Sequence, residues 1–156
     1  IACPDGGGAA RGQYKWQGVA AAGGKLFCAP CHAKAILVVD AATEAVRTIP
    51  CPDGGGAAGG QYKWDGVAAA GGKLFCAPGN AKAILVVDAA TEAVRTIPCP
   101  DGGGAAGGQD KWSGIAAAGG KLFCAPYHAK AILVVDAATE AVRTIPCPDD
   151  GGVAGG

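Results

Sequence analysis

The sequence has no methionine, only three each of Trp, Tyr and Phe, and no net charge, its 13 basic residues balancing 13 acidic ones. Each shortage excludes something. Balanced charge leaves no net field to draw in nucleic acid or an acidic membrane surface. No apolar run approaches the roughly 20 residues that a membrane helix needs, so no membrane span is expected. Without Met, no thioether is available as an axial haem ligand. The chain begins at Ile1, which aligns with Ile49, Ile97 and Ile145. Together with the missing Met, that start suggests a processed product or a piece of a longer repeat protein. No segment reads as a signal peptide, and the compartment stays open.

What is present is a repeat. KWQGVAAAGGKLFCAPCHAKAILVVDAATEAVRTIPC, from Lys15 to Cys51, recurs from Lys63 to Cys99 and from Lys111 to Cys147. Trp16, Trp64 and Trp112 set a period of 48 residues, a length that signals a repeat architecture. The organisation expected is a remnant and Gly-rich connection over 1–14, repeat units over 15–50, 63–98 and 111–146, connections over 51–62 and 99–110, and a Gly-rich tail over 147–156.

Within one unit, four strands are expected. Gly18 to Ala22 is closed by Gly23-Gly24, a turn signal between apolar runs. Lys25 to Pro30 is stopped by its proline. Ala35 to Asp40 is β-branched and apolar throughout, as a strand covered on both faces should be. Asp40 to Thr43 makes a turn in which the Asp carboxylate bonds the backbone ahead of it. Glu44 to Ile49 is the fourth strand. A competing reading N-caps a helix at Asp40, with Ala42, Ala45, Val46 and Ile49 on one face, and gives an α/β solenoid. The β-branched residues Val46, Thr48 and Ile49, and Pro50 directly after, favour the hairpin.

Four strands in a unit of this length make the blade of a β-propeller, an all-β fold of four-stranded antiparallel repeats. The small residues of the first strand suit the crowded central axis. The unit also resembles the YVTN and kelch-like propeller families. GGKLFCAP stands where those families have a Gly-bounded strand, and AILVVDAATEAVRTIP is similar to the YVTN pattern of apolar strand, Asp, Thr-containing turn and second strand. The resemblance spans essentially the whole chain and implies blade structure, not a ligand. Three blades do not close a ring, because propellers have at least four. Apolar faces carrying Leu26, Val38 and their repeats are expected to be left open and to seek a partner. The expected partner is a second chain completing a six-bladed ring, so a homo-oligomer, or else missing blades from a larger protein or complex.

Differences between the copies cluster in two places. One lies near the Trp: Arg11 against Gly59 and Gly107; Tyr14 and Tyr62 against Asp110; Gln17, Asp65 and Ser113. The other follows the second strand: Cys31, Gly79 and Tyr127, then His32, Asn80 and His128. In an up-and-down blade both lie on one face of the disc, where loops on a rigid scaffold carry function. The expected ligand-binding residues are therefore Tyr14, Gln17, Cys31, His32, Tyr62, Asp65, Asn80, Asp110, Ser113, Tyr127 and His128.

Four motifs need weighing. Cys28 to His32 reads C-x-x-C-H, the attachment motif of a c-type haem. The other copies read CAPGN and CAPYH, so a single position creates the match, and no cofactor is expected. Gly54, Gly56 and Gly59 match the dinucleotide fingerprint but precede a Trp strand, with no helix N-terminus for phosphate. His32, His128, Cys31 and an Asp lack the spacing of a metal site. Lys15 and Trp16 with their copies read as structural, the Trp packing between blades with its N–H needing one acceptor. The eight cysteines follow the repeat and read as core filler, with pairing in an oxidising compartment as the alternative. No catalytic constellation stands out. The expected function is a non-enzymatic scaffold or binding module acting through one face. The alternatives are a haem or metal redox role at Cys28, Cys31 and His32, and a carbohydrate-binding propeller using Tyr14 and Tyr62.

Overall fold

A computed structural model describes residues 13–52, 61–100 and 108–148. The predicted sites at Cys3, Arg11 and the Gly54 to Gly59 fingerprint lie outside them. Three four-stranded antiparallel sheets form, one per repeat. The first contains β1 (Trp16–Ala22), β2 (Lys25–Pro30), β3 (Ala35–Asp40) and β4 (Val46–Pro50). The second contains β5 (Trp64–Ala70), β6 (Lys73–Pro78), β7 (Ala83–Asp88) and β8 (Val94–Pro98). The third contains β9 (Trp112–Ala118), β10 (Lys121–Pro126), β11 (Ala131–Asp136) and β12 (Val142–Pro146). Each sheet is an up-and-down meander, β1-β2-β3-β4 and its copies. Among the described residues no helix is long and apolar enough to cross a membrane.

The Asp turn explains why the fourth strand starts later than the sequence suggests. Asp40 Oδ1 accepts from the backbone N–H of Ala42 and Thr43 at 2.9 and 2.8 Å. The chain then passes Glu44 in the left-handed region, φ +64°, before β4 can start at Val46. Glu44 therefore belongs to the turn, not to the strand. The helical alternative falls with the same observation, since Val46–Pro50 pairs with β3 in register from Val39↔Val46 to Ala35↔Pro50. At the other end, β1 begins two residues before Gly18, at Trp16.

Blades stack through their faces. Phe27, Ala29, Ile36 and Val38 of the first blade pack against Trp64, Leu74, Cys76, Leu85 and Val87 of the second. Phe75, Ala77, Ile84 and Val86 pack in the same way against Trp112, Leu122, Cys124, Leu133 and Val135. Trp64 and Trp112 are fully buried, and their indole N–H groups donate to Ala83 O and Ala131 O at 2.9 and 2.8 Å. The expected open faces need one correction. Val38 is sealed in the first seam and Leu74 and Leu122 are sealed too, whereas Leu26, on the free side of the first blade, remains half-buried.

Each seam adds polar links. The Lys63 ammonium, 2% exposed, donates to Ala33 O at 2.6 Å and Cys31 O at 3.3 Å. Lys111 does the same to Ala81 O and Gly79 O at 2.8 and 2.9 Å. At the rim, Glu92 meets Lys25 at 2.7 Å and Arg47, and Glu140 meets Lys73 at 3.8 Å and Arg95. Truncating a buried Trp typically costs about 3–5 kcal/mol, whereas an exposed ion pair contributes about 0–1 kcal/mol. Apolar burial therefore holds the blades together, and the charges set which faces match.

Towards the axis, the register of the two inner strands shifts between Trp64 and Val67, a bulge that holds Gly66 at φ +100°. A Cβ there would lie 3.0 Å from Gly114 Cα, and one on Gly18 would lie 2.9 Å from Gly66 Cα. Only glycine lets the inner strands approach so closely. Gly66→Ala should cost about 3 kcal/mol in urea unfolding, roughly 1–2 for the left-handed backbone and the rest for overpacking. Gly72→Ala, at φ +75° with no atom within 4 Å of the added Cβ, should lose only the backbone part. Equal losses would remove the close-approach argument.

The rim charges predict acid sensitivity. Hydrogen bonds from Arg47 and then Lys25 hold the Glu92 carboxyl at about 2, below its ordinary 4.5. A carboxylate with a depressed folded value stabilises above its unfolded value and loses that contribution as pH falls through the folded one. The melting temperature should therefore fall from pH 4.5 towards pH 2, and Glu92→Gln should flatten that slope. An unchanged slope in the variant would assign the acid loss elsewhere.

Candidate functional site

One rule places the variable residues. In each blade, the lead-in to the innermost strand and the loop after the second strand exchange backbone hydrogen bonds. His32 N–H donates to Tyr14 O at 3.0 Å, Asn80 N–H to Tyr62 O at 2.9 Å and His128 N–H to Asp110 O at 3.1 Å. The two clusters of differences are thereby brought side by side on one face. The lead-in residues Tyr14, Tyr62 and Asp110 all sit in the left-handed region, at φ +54°, +51° and +47°. Non-glycine residues rarely adopt that conformation, and it gathers at binding sites. Among the described residues the copies differ at one further position, Val19, Val67 and Ile115 on the innermost strands.

The residues assemble differently at each junction. Between blades one and two, the Tyr14, His32 and Tyr62 rings form a cluster. His32 stands edge-on to Tyr62 at 4.4 Å between centroids and Tyr14 edge-on to His32 at 5.8 Å, while Tyr14 and Tyr62 are tilted to one another at 5.9 Å. The buried His32 Nε2 has no hydrogen-bond partner. Between blades two and three the contacts are polar. Asn80 Oδ1 accepts from the Asp110 N–H at 2.6 Å, and Asn80 Nδ2 donates to Gln61 O at 2.9 Å. Ser113 Oγ donates to Asp65 at 2.8 Å. On blade three, Tyr127 packs beside His128 at 4.7 Å, and His128 Nδ1 lies 3.1 Å from Gln109 O.

A cleft of about 380 Å³ opens here, lined by Tyr62, Asp65, Asp110, Trp112, Ser113 and Tyr127. Five of these six were expected from the sequence. Trp112 was assigned only a structural role, and it combines both. The cleft is lined by two carboxylates, the Ser113 hydroxyl, two phenols and the face of Tyr127, which is 66% exposed. These groups accept hydrogen bonds and stack.

Of the other expected residues, Tyr14 and Gln17 are exposed on the same face. Asn80 is committed to holding Asp110. Cys31 is a correction: it is 2% exposed, and its carbonyl accepts from the Lys63 N–H at 3.0 Å. It lies beneath the second blade's entry and cannot present a surface contact. Burial, foremost, pushes its thiol up to about 11. The same burial fits poorly with haem attachment, which requires both Cys28 and Cys31 thiols to reach vinyl groups. Cys76 and Cys124 lie in the seams as core filler, the latter with its thiol pushed up to about 12 by burial.

Sequence reasoning missed the seam lysines. It read Lys15 and its copies as structural but assigned the packing between blades to the Trp alone, yet Lys63 and Lys111 are themselves buried and burial lowers the pKa of both. A lysine kept before Trp in every copy was the available signal.

No known protein family and no curated protein matches the sequence. Solved structures do resemble the fold. Hydrazine synthase of Kuenenia stuttgartiensis superposes on 95% of this chain and 38% of its own, at 19% identity and a TM-score of 0.64. The WD40 repeats of RRP9 superpose on 83% of this chain and 36% of their own, at 16% identity and a TM-score of 0.59. A structure of the nidogen/laminin complex matches over 80% of this chain and 43% of its own, at 10% identity and a TM-score of 0.54. This chain thus spans well under half the length of each. At such identities the likeness establishes the fold alone: the sheets are blades of a β-propeller, since WD40 repeats build one. Three of them cover only part of a ring.

The buried thiols give a direct check. A thiol reagent at pH 8 should leave Cys31, Cys76 and Cys124 unlabelled in the native chain and modify them in denaturant, as read by peptide mass spectrometry. Rapid native labelling of Cys31 would return it to the surface and revive the haem geometry.

Proposed function

We propose that this chain is a non-catalytic β-propeller binding module that acts through its variable face, with the ring completed by a second copy to give six blades. One observation carries the reading: among the described residues, nearly every difference between the copies falls in the paired lead-in and loop segments of one face, and part of that set lines the cleft between blades two and three. The seams that build the scaffold are otherwise repeated unchanged. Loops of that kind on a rigid frame are where binding is concentrated. The YVTN- and kelch-like character of the blade sequence supports the same kind of scaffold.

Carbohydrate is the ligand class that suits the cleft. Tyr127 offers a flat ring for the apolar face of a sugar, while Asp65, Asp110 and Ser113 accept from its hydroxyl or amino groups. Sites of this composition fix orientation with few polar groups and take their area from aromatics. A glycan array should give a restricted set of positives, with Tyr127→Ala and Asp110→Asn each weakening them at least tenfold. An array blank for the native chain would remove the carbohydrate reading.

A further inference from the structure

The two ends of the blade stack are unequal copies of the internal seams. On blade three, Phe123 and Ile132 stand where Phe75 and Ile84 are sealed, yet both are half-buried. On blade one, Trp16 is half-buried and Val19 is 58% exposed, where Trp64 and Val67 are covered. The side that blade three leaves open is thus of the type that blade one's free side covers.

The charges match in the same sense. Glu92 and Glu140 each engage a lysine and an arginine of the preceding blade. Among the described residues, Lys121 and Arg143 of blade three have no such carboxylate. They line a cleft of about 200 Å³ with Val134, Asp136, Thr139 and Val142, and Asp136 stands where Asp40 and Asp88 stand beside the engaged Lys25 and Lys73 of the internal seams. Glu44 of blade one meets no such cations among the described residues, yet it holds φ +64°, the conformation of the engaged Glu92 and Glu140, both at φ +62°. It is already shaped to be received. Lys15, whose copies donate to two carbonyls of the preceding blade, instead lies over Trp16 at 5.8 Å. The corresponding carbonyls on blade three are those of Tyr127 and Ala129.

A third feature singles out this chain's own first blade as the occupant. His32 in one blade meets Tyr62 in the next, and Asn80 meets Asp110. The first contact is between rings, whereas Asn80 accepts from the main-chain N–H of Asp110, which any residue supplies. His128 thus calls for a ring on the blade that follows, as His32 has in Tyr62, and Tyr14 is the ring that blade one carries.

We infer that blade one of a second copy docks on the open side of blade three. Glu44 of the second copy enters the Lys121 and Arg143 cleft, its Lys15 takes the Tyr127 and Ala129 carbonyls, and its Tyr14 seats against His128. The contact is head-to-tail and, repeated twice, closes a two-fold ring. It also places Tyr14 and Gln17 of the second copy beside Tyr127 and Ser113, so the ligand face is incomplete in a single chain. This deepens the proposed binding function and rests on it for the ligand, but not for the docking.

Charge exchange tests it. Glu44→Lys alone, and Lys121→Glu with Arg143→Glu alone, should each raise the dissociation constant of the two-chain species at least 100-fold in light scattering across dilutions, because like charges now face each other. An equimolar mixture of the two should recover the two-chain mass, since one junction is native and the other has both signs reversed. Far-ultraviolet circular dichroism identifies any variant that has failed to fold. As a second route, Tyr14→Asp should weaken association, and adding His128→Asn should restore it by recreating the hydrogen bond that Asn80 accepts from the following lead-in N–H.

A native chain that is a folded monomer, variants that keep the native mass, or a mixture that stays monomeric would each overturn the docking. A monomer that still binds its glycan would leave the binding function standing while the docking fails. A closed ring blank for glycans would do the reverse.

Discussion

The lysine ammonium held in each seam is the interaction on which the rest of the arrangement turns. Putting a cation where Lys63 lies costs several kcal/mol of desolvation unless it is met by acceptors. The acceptors are the carbonyls of Cys31 and Ala33, in the loop that follows the previous blade's second strand. That loop is in turn fixed by its own lead-in, because Cys31 and Ala33 N–H groups donate to Lys15 O at 2.9 and 3.0 Å. One residue type thus does two things at once: its backbone oxygen orders the loop of its own blade, and its ammonium clamps the loop of the blade before. The variable residues sit between these fixed points, so their side chains change without the frame moving.

The inner strands impose the complementary constraint. Four strands per blade are wedged outward by Phe, Leu, Ile and Val, and the wedge converges where only Gly and Ala fit. The bulge at Gly66 relieves the pleat there and lets the inner strands of successive blades come within backbone contact. Crowding at the axis and clamping at the upper face act on the same strand, a few residues apart. Any blade added to either end must satisfy both, which is why an unrelated surface makes a poor substitute.

Much of this was legible in the sequence because the signals were local. The Gly-Gly turn, the stop at Pro30 and the β-branched run from Ala35 placed β2 and β3 at their observed bounds, and the Asp40 turn behaved as its chemistry dictates. The start of β4 was not legible. Glu44 reads as a good strand neighbour until its left-handed backbone is seen, and Glu92 and Glu140 share that backbone, so the conformation belongs to the Asp turn itself, where Glu44 N–H donates to Asp40 O at 2.8 Å. Comparing copies found the variable face for the same reason that it missed the seam: it marks what differs, and Lys63 and Lys111 never differ. Cys31 shows the limit of that method. It varies, yet it is buried, because position 31 lies under the next blade's entry and its variation concerns packing as much as contact.

The pairing of loop and lead-in residues argues against simple drift on the variable face. Residues drifting independently in exposed loops would combine His, Asn, Tyr and Asp without regard to the neighbouring blade. Here the His32 ring meets an aromatic partner, while Asn80 meets a backbone N–H that its carbonyl caps at 2.6 Å. Exchanging only one member would leave Asp110 beside an imidazole edge, or Tyr62 above a short amide. The lead-in residue is also the one held at positive φ in all three blades, so its side chain is aimed by the backbone and not by chance. A face whose residues are matched across junctions, on a backbone held in an unfavourable conformation to present them, is organised for contact. The cleft at Asp110 is where that organisation leaves room for something else.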